Sequence, residues 1–409
     1  MSGSRSGSSG PQPPTRLVTP GFLILVAAAL AFFTGGGIVL PVASRFADGP
    51  LGADSTGVGI AIGAFAVGAL VMRPVIGWAS DRFGRRPVLV GGGLLTLVAL
   101  GFHLVADTLP LFVAARALLG VAEAFFLVAT LAAASDLAPS NRGGEAINLA
   151  SLSLYLGLAL GPPIGETVLA AGGFDAAWLA AGALTVLATG LAVLVPETAP
   201  GVLARRASGG PHRRARLFHP AGVFPGILIL TGAWGMAGFF AFLPLHAPAV
   251  GMDGAALPLT IYAVLVVVLR VVFAKLPDRA GAARVSGGAL AVGTVGLAVL
   301  GLVGTPVGIV VGSAIFAAGV AFIFPALLSV AVSRVDETER GSVVGTASVF
   351  LDLSFGLAPA VLGLVAESGG YTGAFLVSAV VSGFGTLLLV ARRGTLARPA
   401  APEAGTLAS

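Results

Sequence analysis

Residues 77–86 read GWASDRFGRR, and the six from Asp81 onward carry one acid and three arginines. Apolar runs flank this stretch on both sides, in a chain that is only 10% charged. A water-soluble protein of this length carries roughly 25% charged residues. This chain cannot cover a water-facing surface, so the bilayer is its expected solvent. Between two apolar runs, such a knot of charge belongs at the aqueous surface, where one spanning helix turns back into the next.

Outward from that turn, runs of about 20 apolar residues, enough to cross ~30 Å of hydrocarbon, recur along the whole chain. They place helices at 20–44, 57–78, 87–106, 109–133, 145–170 and 174–196, then at 221–246, 256–276, 284–304, 306–332, 342–366 and 371–391. The expected fold is an all-α membrane protein, with twelve transmembrane helices in two pseudo-symmetric six-helix bundles. Residues 1–19, rich in Ser, Gly and Pro, read as a disordered tail. The bundles cover 20–196 and 221–391, a basic linker covers 197–220, and a second tail covers 392–409. The first apolar run, about 25 residues long, exceeds the ~7–15 of a signal-peptide core and reads as an uncleaved span.

Orientation follows from the basic residues. If the N-terminus is cytoplasmic, nineteen of the 23 fall on the inner side. Arg45 alone falls in an outer loop, and Arg73, Arg116 and Arg270 fall within spans. Such a bias sets both termini and the linker in the cytoplasm and makes the chain a multi-pass protein of the plasma (cell inner) membrane. It also explains the high pI without nucleic acid, because the basic residues are scattered between apolar runs. With no cysteine, the chain has neither disulfides nor thiolate metal sites. Its four histidines (His103, His212, His219 and His246) form no ligand spacing, so no metal is expected.

The two halves look alike. Arg73 with Asp81 and Arg82 recurs 197 positions later as Arg270 with Asp278 and Arg279. The same shift lays YLGLALGPPIG (155–165) over DLSFGLAPAVL (352–362). One offset at both places indicates an internal duplication.

GWASDRFGRR resembles the pattern G-x-x-x-D-R-x-G-R-R between helices 2 and 3 of the major facilitator superfamily. Arg116 and Gly120 match an Arg and a Gly four residues apart in that family's helix 4. Gly157, Gly161, Pro162 and Gly165 are similar to the helix 5 motif G-x-x-x-G-P-x-x-G-G of its drug:proton antiporter branch, with Glu166 in place of the last Gly. The resemblance covers nearly the whole chain. It implies a secondary transporter with no cofactor, driven by the proton gradient and acting as a monomer. It further implies that the turn holding Gly77, Asp81, Arg82, Gly84, Arg85 and Arg86, with Asp278 and Arg279 in the repeat, latches the halves on the cytoplasmic side. In the antiporter branch the helix 5 motif is associated with export and with sealing against leak.

The residues themselves offer physical readings. Gly77 falls at the expected end of helix 2, and Asp81 can accept from helix-end amides or pair with Arg. Arg82, Arg85 and Arg86 can hold the turn at an anionic membrane face or simply set topology. Charges inside spans are more telling, because one at a helix centre costs at least ~2.5–3.5 kcal/mol. Arg116 lies roughly 10 Å inside the outer edge of helix 4, and Glu123 shares its face about 10 Å deeper. Asp352 lies near the middle of helix 11, and Tyr155 takes the equivalent place in helix 5. Glu123 and Asp352 are candidates for proton uptake and release, with interhelical hydrogen bonding as the alternative. Arg116 can tune them or bind an anionic group of the substrate. Arg73 and Arg270 are expected to snorkel toward the inner surface, and His103 to be a satisfied polar residue. The glycines of helix 5, four apart on a helix bent by Pro162 and Pro163, allow rocking against the other half or close static packing.

These features favour proton-coupled export of a small amphipathic compound or drug. Uptake of a metabolite such as a sugar or organic acid is the alternative. Sugar sites need many amides, yet Gln12 is the sole Gln and Asn148 the only Asn in an expected span. A membrane enzyme lacks a nucleophile–base or metal set, a receptor lacks a soluble domain, and no phosphate-cradling loop supports ATP-driven transport.

Overall fold

The structure, a computed structural model, describes residues 17–139, 142–198, 219–273, 276–332, 335 and 340–392. The first tail up to residue 16, the linker from 199 to 218 and the tail from 393 lie outside it. Helix α1 spans Pro20–Asp48, α2 Ser55–Phe83, α3 Arg85–Val105 and α4 Leu109–Leu137. The segment Gly143–Leu194 breaks at Gly173 into α5 (143–172) and α6 (174–194). Helix α7 spans Val223–Ala249, α8 Ala256–Val272, α9 Ala282–Leu302 and α10 Pro306–Val332. A short helical turn, Leu276–Ala280, lies between α8 and α9. Arg340–Ala391 breaks at Gly370 into α11 (340–369) and α12 (371–391). The described residues thus hold twelve long helices, each within a few residues of its expected place.

Lipid explains the composition of their surfaces. Among the described residues, nine helical segments are long and apolar enough to cross a membrane, and two of these are folded double at the glycine breaks. Val71, Val271, Leu302, Val307, Val380 and Leu387 are among the most exposed side chains. A contiguous apolar exterior of this kind has a solvent only in the bilayer.

The duplication is written into the backbone. Gly143–Leu194 and Arg340–Ala391 are both 52 residues long, and their ends and breaks all lie 197 positions apart. Helices α3 and α9, 21 residues each, obey the same shift, as do the glycines that precede them, Gly84 (φ 105°) and Gly281 (φ 88°). Gly173 and Gly370 have φ of 76° and 62°, a region that disfavours every L side chain. One expected boundary moves: α2 does not end at Gly77 but runs on past it to Phe83, and the chain leaves the helix at Gly84, whose φ of 105° is not helical.

Two faces can be told apart. One carries the helix ends near both termini (the termini face); the other carries the turns at 49–54, 173, 250–255 and 370. On the second face a single apolar core joins both bundles, including Ile38, Val42, Phe112 and Trp178 with Phe239, Tyr262, Leu297 and Leu362. Toward the termini face the core divides. Phe22, Phe32, Leu89 and Phe126 cluster within α1–α6, while Leu228, Leu290, Leu327 and Leu389 cluster within α7–α12. Backbone contacts seal the joined side. A Cβ on Gly59 would strike the carbonyl of Pro359, one on Gly63 that of Gly356, and one on Gly363 that of Ser55. Helices α2 and α11 therefore touch along two turns.

Replacing Gly173 or Gly370 by Ala is expected to cost about 1–3 kcal/mol by forcing a side chain into a positive-φ conformation. Thermal unfolding in detergent checks this, with Gly182→Ala, where a Cβ meets nothing within 4 Å, as the unaffected control.

Candidate functional site

At the charged turn, Gly84 ends α2 and starts α3, whose N-terminus has no side-chain cap in its own segment. Glu197, just past α6, fills that place. Its carboxylate accepts from the backbone N–H of Arg85 at 3.0 Å and of Arg86 at 3.2 Å, where the helix dipole favours negative charge. Arg85 is 6% exposed and donates to Asp136 at 3.1 Å and to Ser80 at 3.2 Å. The Thr198 hydroxyl also donates to Asp136, at 2.9 Å. The turn is thereby bolted to the ends of α4 and α6 in its own bundle.

One expectation changes. Arg85 does not face the membrane surface, because its buried guanidinium has a carboxylate and a hydroxyl to bind. Arg82 and Arg86 are exposed, the first 5.9 Å from the ring of Phe83, and Arg279 is exposed in the repeat. The side chains of Arg73, Asp81 and Asp278 lie outside the described residues.

Inside the spans, α4 supplies a charged face. Gly120 abuts the carbonyl of Phe65, and Gly68 abuts that of Ala117, so α2 and α4 lie backbone to backbone. That approach lets Arg116, 1% exposed, reach across α2. Its guanidinium lies 5.2 Å from the ring of Phe65, and its Nε points at the carbonyl of Ala61 at 3.4 Å. Its buried Nη2 has no hydrogen-bond partner among the described residues. Glu123, two turns on, is half-buried and turned toward Gly36 of α1, where a Cβ would lie 3.2 Å from its Oε2. Each feels the other's charge, yet no ion pair links them among the described residues.

Tyr155 and Asp352 occupy equivalent places in the repeat but different surroundings. The Tyr155 ring packs 4.2 Å from the guanidinium of Arg270 and 6.1 Å from the ring of Phe324, joining the two bundles. Arg270 also donates from Nε to the carbonyl of Ala321 at 3.1 Å. It is turned into the protein instead of snorkelling, since an aromatic face and a free carbonyl are both within reach. Asp352 is half-buried one turn before Gly356, which faces Ala66 and Val67 of α2. His103 is fully buried; its Nδ1 lies 2.7 Å from the carbonyl of Ala99, while Nε2 has no partner among the described residues.

The helix 5 motif packs within its own bundle. A Cβ on Gly157 would lie 2.6 Å from Phe33, one on Gly165 2.5 Å from Ile38, and Gly161 lies against Gly37. The glycine face meets α1, so the described contacts are those of close packing inside α1–α6 and not of a rocking surface against α7–α12. No cluster of three or more potential metal ligands occurs among the described residues.

The Major Facilitator Superfamily profile matches residues 24–359 and, in a second overlapping segment, 260–408. An uncharacterized MFS-type transporter of Salmonella typhimurium is 31% identical, covering 81% of this chain and 86% of its own. The chain belongs to the Major Facilitator Superfamily. It is a transporter and not an enzyme. An uncharacterized MFS-type transporter of Burkholderia mallei is 28% identical over 94% of this chain and 95% of its own. Among solved structures, the nucleoside transporter NupG superposes with a TM-score of 0.71 at 16% identity, covering 91% of this chain and 99% of its own. The human organic anion transporter MFSD10 gives 0.66 at 18%, covering 92% and 100%. At these identities the likeness shows the fold.

For this superfamily member, sequence reasoning missed Asp136 and Glu197, the partners of the charged turn. Neither carries a local signal, because each reaches it only when α4 and α6 end on the same face. Asp136→Ala removes a carboxylate that binds the buried guanidinium of Arg85 and is expected to lose about 3 kcal/mol. The double variant with Arg85→Met is expected to recover most of that loss, as equilibrium unfolding of the two proteins will read.

Proposed function

We propose that this transporter exports a small amphipathic compound in exchange for protons, by alternating access between α1–α6 and α7–α12. The observation that carries the reading is the pair of acids held inside the spans, Glu123 beside buried Arg116 and Asp352 in mid-α11. Charge in that setting is too costly to keep without a use, and carboxyl groups bordering a poorly hydrated path can pick up and release protons near neutral pH. With the termini in the cytoplasm, as the arginine distribution favours, the dividing core opens to the cell interior, a state that loads from inside. The relatives are bacterial, which supports the inner membrane, and one chain carries both bundles, which supports a monomer. The Asp81 turn is the proposed latch of the opposite state.

The alternative is uptake of a metabolite such as an organic acid or sugar. Arg116 favours the organic acid, because its Nη2, without a hydrogen-bond partner among the described residues, can take an anionic group. Proteoliposomes with an imposed pH gradient and an internal pH dye distinguish these readings. Lipophilic cations, antibiotics, sugars and organic acids are added singly. Export predicts proton flux triggered by an amphipathic compound, reduced at least tenfold in Glu123→Gln or Asp352→Asn. Accumulation of an acid or sugar without proton flux replaces export by facilitated uptake. Asp81→Asn is expected to slow cycling while leaving insertion intact.

A further inference from the structure

Glu166 stands where the resembling helix 5 motif has glycine, and the reading above gives it no part. It lies near the joined-face end of α5 and is 4% exposed. One oxygen, Oε2, accepts from the backbone N–H of Ala255 at 3.1 Å and is ion-paired with Arg45 Nη2 of α1 at 3.0 Å. Arg45 belongs to the same bundle. Ala255 belongs to the other, at the N-cap of α8, where its methyl side chain can satisfy no helix amide. Glu166 supplies the missing negative group across the bundle interface, at the positive end of a 17-residue helix. The loop reaches it through Gly254 (φ 141°), at which a Cβ would lie 3.2 Å from Arg45 Nη2 and 3.3 Å from Glu166 Oε2. A cavity of about 870 Å³ borders the contact, lined by Asp48 and Asp253 as well as by Arg45 and Glu166.

We propose that Glu166 is a positioning residue for transport: a charged latch that holds the joined face shut by binding the N-terminus of α8, with Arg45 keeping the carboxylate in place. The geometry assigns different work to the two partners. When the face opens, the bond to Ala255 must break, because it joins the two bundles. The pair with Arg45 can persist, because α1 and α5 are locked together by Gly37 and Gly161. Arg45 thus accompanies the carboxylate through the cycle and spares it a fully unpaired state. The acids at Asp48 and Asp253 give the cavity net negative charge, so Arg45 is the group that keeps Glu166 from being repelled off the helix end. The proposal rests on alternating access alone and is independent of substrate, direction and proton coupling.

The chain has no cysteine, so two introduced thiols can be spin-labelled without background. Pro50→Cys and Leu257→Cys place labels on exposed positions of the two bundles at the joined face. Pulsed EPR then gives the closed-to-open ratio without any substrate. A charge-assisted hydrogen bond of ordinary strength predicts that Glu166→Ala lowers this ratio roughly 10- to 100-fold. Glu166→Gln, isosteric and still able to accept from Ala255, is expected to lower it less. Arg45→Ala is also expected to lower it less than Glu166→Ala. An unchanged distance distribution in Glu166→Ala overturns the latch, as does opening by Arg45→Ala equal to that by Glu166→Ala. If Glu166→Ala does not fold, an unchanged distribution in Glu166→Gln and Arg45→Ala together is decisive against it. Failure of proton-coupled export would leave these distances untouched, so the two ideas fail separately.

Discussion

Hydrocarbon offers a backbone amide no hydrogen-bond partner, and the structure follows from that constraint. Every long described segment is helical. Side-chain hydroxyls inside the spans turn back onto the carbonyl four residues earlier, as Thr96 does on Gly92, Thr130 on Phe126 and Thr185 on Ala181. Lipid also withdraws the hydrophobic force between helices, so association relies on close contact. Glycine supplies it: α2 meets α4 at Gly68 and Gly120, α1 meets α5 at Gly37 and Gly161, and α2 meets α11 at Gly59 and Gly63. The first two contacts make the first bundle rigid, and the third closes one face between bundles.

Charge is then placed where a helix end or an aromatic face can receive it. Glu197 serves the N-terminus of α3, and Glu166 that of α8, so two carboxylates perform the same electrostatic task at opposite faces. The difference is reach. Glu197 binds within its own bundle and stabilises the turn, whereas Glu166 binds across the interface between the two bundles. Arg270 likewise joins the bundles by lying on Tyr155, while Arg116 stays within one bundle on Phe65. Which bundle supplies the partner separates charge that holds one bundle together from charge that joins the two.

Fold and duplication were legible in the sequence because lipid enforces a simple code. Spans must be apolar and about 20 residues long, and turns must hold the polar and glycine residues that spans exclude. The shift of 197 positions seen in Arg73 and Arg270 returns in the helix breaks at Gly173 and Gly370. Candidate site residues were only half legible. A charge within an apolar run identifies itself, as Arg116 and Glu123 did, but its partner does not. Arg270 looked like a snorkelling side chain because periodicity gives depth and not the neighbour, and for the same reason the glycine face of α5 left rocking and close static packing both open.

By itself the sequence determined the solvent, the number of helices, their repeat and the family, since each depends on composition or spacing along the chain. Tertiary structure decided which helices touch. Only it showed that Glu166, a departure from a motif when read along the chain, meets Ala255 across 89 residues of sequence. That pairing depends on the N-terminus of one helix and the side chain of another arriving at one point, and residue order alone does not encode such a meeting.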